Sequence, residues 1–257
     1  MAVDFRQLAS KASDLVDHGQ SQGVPLRSVG GVAIWSSLPA GLRAEYESVR
    51  EGPKDLDLIA PEGTPAEEIK AVFVARGYVP DERLIAWRGN ERHQYFELDE
   101  NGDPVVDIDL FLGLPPSCHR FNLPGEEFNR PGVALSVTEL LLQKLQIVET
   151  TDKDLTDIAY LMLANPVSLN GSGIDDSRIA GLLSKDWGFH YTASRNLERV
   201  TAILDQKMDE ASRQAAQERI GVLAEDVEEA PKSRKWKMRA KVGTRVTWYE
   251  EVEELDR

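Results

Sequence analysis

Apolar positions recur at helical spacing over residues 3–20 (Leu8, Ala12, Leu15, Val16), the pattern of a helix with one buried face. The pattern then shortens. "VPLRSVGGVAIW" (24–35) reads as an extended lead-in, a Gly-Gly turn and the start of a helix. Residues 39–53 read as a loop with a helical piece. "KDLDLIA" (54–60) alternates with period two and predicts a strand. "TPAEEIKAVFVARG" (64–77) predicts a helix, with Thr64 as N-cap, Pro65 in the first turn and Gly77 at the C-terminal end. "YVPDERLIAWR" (78–88) and "RHQYFELDE" (92–100) predict strands, and "ENGDP" (100–104) a turn. "VVDIDLFLG" (105–113) predicts a further strand.

Beyond Pro115 the period lengthens again. "SVTELLLQKLQIVE" (136–149) has Ser136 and Glu139 at capping-box spacing before an apolar run, and "DKDLTDIAYLMLA" (152–164) predicts a second helix. Helical pieces follow at about 175–184, 192–208 and 209–227, and "TRVTWYEEV" (244–252) is β-prone. The chain therefore reads as α+β. An α/β region over 1–115 precedes a helical region over 116–230, and 231–257 form a basic segment with a β-prone tail.

Composition narrows the function. The chain has 257 residues, 41% of them hydrophobic and 29% charged, ordinary for a globular protein with a core. There is no apolar run of about eighteen residues and no signal-type segment, and the single cysteine, Cys118, excludes an intramolecular disulfide. These features predict a cytoplasmic protein with no membrane partner. A net charge of −14 argues against a general nucleic-acid coat. It leaves room for a local basic site. The stretch 232–245 holds Lys232, Arg234, Lys235, Lys237, Arg239, Lys241 and Arg245 with no acid among them, between "EDVEE" and "YEEVEELD".

The candidate chemistry lies in the acidic strands. Residues i and i+2 of a strand face one side, so Asp55 and Asp57 project together while Leu56 and Leu58 face a core. Neighbouring carboxylates repel unless a cation lies between them, and a hard divalent ion such as Mg²⁺ takes carboxylate and phosphate oxygens. Asp107 and Asp109 repeat the alternation. If the two strands pair, three or four carboxylates converge on one patch, enough for two metal ions. Upstream, in "SVGGVAIW" with Ser28, Gly30 and Gly31, a Gly-Gly turn opening a helix lets backbone N–H groups approach a phosphate.

In this order, "GG", "KDLDL" and "VVDIDLF" resemble the DNA polymerase β-type nucleotidyltransferase superfamily. "LSVTELLLQKLQIVETTDKDLTDIAYLML" (135–163) resembles the lysine helix and following helix of AbiEii-type nucleotidyltransferases, toxin components of type IV toxin–antitoxin and phage-defence systems. The resemblance implies a mixed sheet with flanking helices and transfer of NMP from an NTP, ATP or GTP, to an acceptor hydroxyl. The acceptor stays open among RNA such as tRNA, protein and a small molecule, and an antitoxin partner is implied. Gly30 and Gly31 would hold the triphosphate, with Ser28 and Lys54 beside it. Asp55 and Asp57 would ligate two Mg²⁺ or Mn²⁺ ions. Asp107 would be the third carboxylate and general base, with Asp109 as the competing ligand. Lys144 would reach the triphosphate, and Asp154 or Asp157 would take the place of the last motif acid. One departure is the 24-position step from Gly31 to Asp55, which implies an inserted segment around 38–52.

Plainer readings stand beside these. Asp55 and Asp57 could line a wet strand face, and Lys144 could snorkel from an apolar helix. Asp154 suits a helix start by its charge alone. His119 beside Cys118 belongs to no ligand cluster, and Trp187 with Tyr191 reads as a core pair. The basic run, near Trp236 and Trp248, could neutralise phosphates and stack bases, but pairing with nearby acids is the favoured reading. The alternative to an enzyme is an inactive nucleotide-binding or RNA-binding protein on the same fold.

Overall fold

The period-two alternation at "DLDLIA" sits inside a five-stranded mixed sheet. The computed structural model describes residues 4–168 and 173–252. Strands β1 (Arg27–Val29), β2 (Asp55–Ala60), β3 (Val79–Pro80), β4 (Arg92–Leu98) and β5 (Pro104–Leu112) lie in the order β1-β2-β5-β4-β3. β2 and β5 are parallel and the other neighbours antiparallel. The chain divides into two units with interleaved segments. One comprises Met1–Ser37, Glu51–Pro115 and Asn122–Ser136; the other Leu38–Arg50, Pro116–Phe121 and Val137–Arg257. The segment expected as an insertion, around 38–52, thus largely belongs to the helical unit.

In the sheet unit, Leu56, Leu58, Ile108 and Leu110 are fully buried on one face, each contributing roughly 1.5–3 kcal/mol by leaving water. Helices α1 (Phe5–Ser21), α2 (Gly30–Ser37) and α4 (Ala66–Val74) flank the sheet. Asp4 caps α1 in a reciprocal box: its carboxylate accepts from Gln7 N–H, and the Gln7 side chain accepts from Asp4 N–H. On the core face the Phe73 ring of α4 stacks on Tyr95 of β4 at 3.9 Å. Residues 122–136 return beside β1. The buried Arg27 guanidinium donates to the carbonyls of Glu127, Phe128, Arg130 and Gly132, and Ser28 bridges to Ala134.

Two strand expectations fail, each for a local reason. Of residues 78–88 only Val79–Pro80 is a strand; helix α5 (Glu82–Arg88) follows, because the Asp81 carboxylate accepts from Arg83 and Leu84 N–H and caps a helix there. Thr64 bonds the Pro61 carbonyl instead of capping α4. The tail forms no strand among the described residues, since the Arg239 guanidinium takes the Val246 and Thr247 carbonyls that a ladder would use.

The helical unit joins α3 (Ala40–Val49) to α6 (Val137–Leu145), α7 (Asp152–Ala164), α8 (Asp176–Leu183), α9 (Trp187–Lys207), α10 (Glu210–Glu229) and α11 (Arg234–Val242). α7 packs against α3, α6, α9 and α10 around Leu141, Leu145, Ile158, Leu161 and Leu204, all fully buried. Trp187 and Tyr191 do stack, at 5.2 Å, but are half-buried.

His119 is structural in this unit. Its ring stacks on Phe189 at 5.2 Å, its Nε2 lies 2.8 Å from Thr192 Oγ1, and burial pushes its pKa down to about 4. An unfolded histidine binds a proton near pH 6.5, so below that pH the unfolded chain holds the extra proton. The contribution of His119 to stability is complete above pH 6.5 and falls as the pH drops towards 4, by about 2 kcal/mol at pH 5. We expect His119→Gln to flatten the change in urea midpoint between pH 7 and pH 5. An identical pH dependence in the variant would exclude His119 as the cause.

Candidate functional site

The carboxylates meet through the parallel β2–β5 ladder. In register, Asp55 faces Asp107 and Asp57 faces Asp109, with the leucine and isoleucine pairs between them on the opposite face. The four acids form a two-by-two patch. Asp55, Asp57 and Asp107 are half-buried, and Asp109 is 3% exposed.

Asp109 is separated from the other three by its partner. Arg92 of β4 donates to its Oδ1 from Nη2 at 2.7 Å and from Nε at 3.2 Å. The same guanidinium lies over the Phe111 ring, at 5.5 Å. A carboxylate so neutralised is a poor competitor for a metal ion, and Asp55, Asp57 and Asp107 are the other three acids of the ladder. Arg92 had no sequence signal, since only the β4–β5 pairing brings it to Asp109.

The Gly-Gly turn abuts this patch. β1 ends at Val29, opposite Asp57, and α2 begins at Gly30 with φ +67°. A Cβ built on Gly30 would lie 2.4 Å from Asp57 Oδ2, so only glycine fits both the backbone angle and the space. The first N–H groups of α2 therefore stand beside the carboxylate patch, where a helix start favours an anion. Lys54, just before β2, is exposed and has no ion pair among the described residues. Ser28 is placed differently from its expectation. It pairs with Leu58 on the apolar face, and its Oγ is buried without a hydrogen-bond partner.

The donor set suits a hard divalent cation in residue type and position. As the side chains stand, no three His, Cys, Asp or Glu among the described residues close around an ion.

Lys144, Asp154 and Asp157 converge within the helical unit. The Lys144 Nζ lies 2.8 Å from Asp154 Oδ1 and 2.9 Å from Asp157 Oδ2. Asp157, fully buried, also accepts at Oδ1 from Arg50 Nε and the Tyr46 hydroxyl, both at 2.6 Å. Burial opposes the Lys144 charge, but Asp157 and Asp154 outweigh it and raise its pKa. Burial likewise opposes ionisation of Asp157, and Lys144 and Arg50 outweigh it and hold the carboxyl below its usual range. Lys144 is thus held by two acids rather than snorkelling, while Asp154 also closes a capping box with Thr151. Tyr46 and Arg50 went unread in the sequence, although their i, i+4 spacing places them on one face of a helix end.

No family model matches the chain, and no curated protein matches it. Among solved structures it is similar to JHP933 from Helicobacter pylori at 11% identity and a TM-score of 0.45, over 90% of this chain and 95% of that one. It is also similar to a structure described as a "putative nucleotidyltransferase from H. pylori", at 10% identity and a TM-score of 0.40, over 86% of this chain and 95% of that one. No helix of the described residues is long and apolar enough to cross a membrane.

Proposed function

We propose that the chain is a metal-dependent nucleotidyltransferase that moves NMP from an NTP to an acceptor hydroxyl. The observation that carries this reading is the seat of Gly30 against Asp57, beside the register that aligns Asp55 with Asp107. A helix start beside hard oxygen donors supports a reading in which the turn binds phosphate and the acids bind metal. Asp55, Asp57 and Asp107 would hold Mg²⁺ or Mn²⁺. When bound, such ions neutralise phosphate charge and lower the pKa of an attacking hydroxyl.

The chain's own groups have the following parts. Gly30 and Gly31 N–H groups bind phosphate oxygens and orient the triphosphate. Asp107 accepts the proton of the acceptor hydroxyl as the new O–Pα bond forms and the Pα–O bond to pyrophosphate breaks. Within the helical unit, two of the three N–H donors of Lys144 serve Asp154 and Asp157. The AbiEii-like segment, now α6 and α7, supports a toxin role with an antitoxin partner in the cytoplasm.

The test is incubation with each α-labelled NTP and Mg²⁺ or Mn²⁺, with cell RNA and cell protein offered as acceptors. We expect cation-dependent label transfer to one acceptor class. Absence of transfer together with absence of cation-dependent NTP binding would overturn the reading.

A further inference from the structure

Among the described residues, the salt bridges do not pair the basic run with acids. Among the described residues, Arg234, Lys235, Lys237, Lys241 and Arg245 have no ion pair, and all five side chains belong to exposed residues. Lys232 donates to the Val227 and Glu228 carbonyls, and Arg239 to the carbonyls of Gly243, Val246 and Thr247. In a chain of net charge −14 this is a concentration of positive charge. Of the acids in the neighbouring cavity wall, Asp186 caps α9 by accepting from Phe189 N–H, and Glu250 pairs with Arg120 at 2.7 Å.

That face borders a cavity of about 640 Å³ within the helical unit. Its walls include Trp187, Trp236, Trp248, Tyr249, Lys185 and Lys235. The volume is that of a small-ligand pocket. The walls are pre-set by several contacts. Trp248 Nε1 donates to Thr192 Oγ1, Glu250 N–H donates to the Cys118 carbonyl, and a Cβ on Gly188 would strike the Trp248 carbonyl at 2.3 Å. Arg239 lies over the Trp187 ring at 4.9 Å, placing a cation in the wall. The Trp236 indole N–H is buried and has no acceptor among the described residues.

We propose that this cavity and the exposed face of α11 bind single-stranded nucleic acid, with phosphates on the α11 cations and a base against the indole wall. Stacking on aromatic rings combined with unpaired lysines and arginines is the chemistry by which single strands are held without sequence reading. A membrane surface fits less well. The exposed Met238 (71%) and Val242 (40%) line the concave cavity rather than form a convex apolar stripe, and α11 has nine residues. The inference does not rest on the proposed transfer activity.

The test is fluorescence anisotropy of a labelled single-stranded RNA of about ten nucleotides, titrated with the full chain at several salt concentrations. We expect saturable binding that weakens with salt. Combined Lys235→Glu, Lys237→Glu and Lys241→Glu should weaken it about tenfold or more and reduce the salt slope by roughly 0.7 for each phosphate no longer neutralised. Tryptophan emission should change on binding. Far-UV circular dichroism and the single variants Lys235→Ala and Lys237→Ala separate lost binding from lost folding. The proposal is overturned by absence of RNA binding at low salt, by undiminished binding in the folded triple variant, or by capture on anionic phosphatidylserine vesicles without RNA binding.

Discussion

Asp57→Asn is expected to lower label transfer by more than about a hundredfold, beyond the 10–100-fold that removing a supporting hydrogen bond from a metal site usually costs. Asp55→Asn and Asp107→Asn should act alike. Asp109→Asn should not: its carboxylate is committed to Arg92, so the variant should retain most transfer while melting earlier, its guanidinium left without its partner in a half-buried place. Gly30→Ala reaches the same loss from the backbone side. A methyl group there meets Asp57 Oδ2 and also forces a side chain into positive φ, a strain of about 1–2 kcal/mol. Transfer rate and thermal melting, measured on all five variants, decide the assignment. Transfer abolished equally in Asp109→Asn, with its fold intact, would move the third ligand from Asp107 to Asp109.

Asp157→Ala is expected to produce the largest stability loss in the molecule, about 3–5 kcal/mol in urea unfolding of the helical unit. The substitution removes one of the two carboxylates that hold Lys144, the carboxylate that Arg50 binds and the acceptor of the Tyr46 hydroxyl. Asp152→Ala is the matching control. Asp152 also binds a lysine, Lys207, at 2.7 Å, but its side chain is 70% exposed, so its loss should cost no more than about 1 kcal/mol. Comparable losses for the two variants would mean that Asp157 is better solvated than its burial indicates.

Much of the site was legible because strands write their faces directly into the chain. The alternation of acid and leucine at 55–58 and of acid and apolar residue at 107–110 predicts shared faces before any pairing is known. The Gly-Gly pair before an apolar helix predicts a tight backbone turn, and Gly30 occupies one. What stayed hidden depends on partners distant in sequence. Asp107 and Asp109 look equivalent along the strand; Arg92, from the neighbouring antiparallel strand, distinguishes them. Lys144 reads as an apolar-face lysine until α3 and α7 supply its surroundings. At 78–88 the apolar residues suited a strand, but two backbone N–H groups on the Asp81 carboxylate tipped the segment into a helix. Ser28 was read with its glycines as one motif, whereas the strand's alternation turns it to the other side.

The interleaving of the two units has a consequence for synthesis. Arg50 and its acceptor Asp157 are 107 residues apart, and Tyr46 is 111 from the same carboxylate. At a translation rate of about 5–20 residues per second, α3 leaves the ribosome roughly 5–20 seconds before the residue it is built around. During that interval the strands of the sheet unit through β5 are already made. Residues 38–50 must therefore pass the first stage of folding as an undocked loop, bridging two parts of a domain to which they do not belong. A ribosomal pause anywhere between residues 50 and 157 would prolong that exposed state.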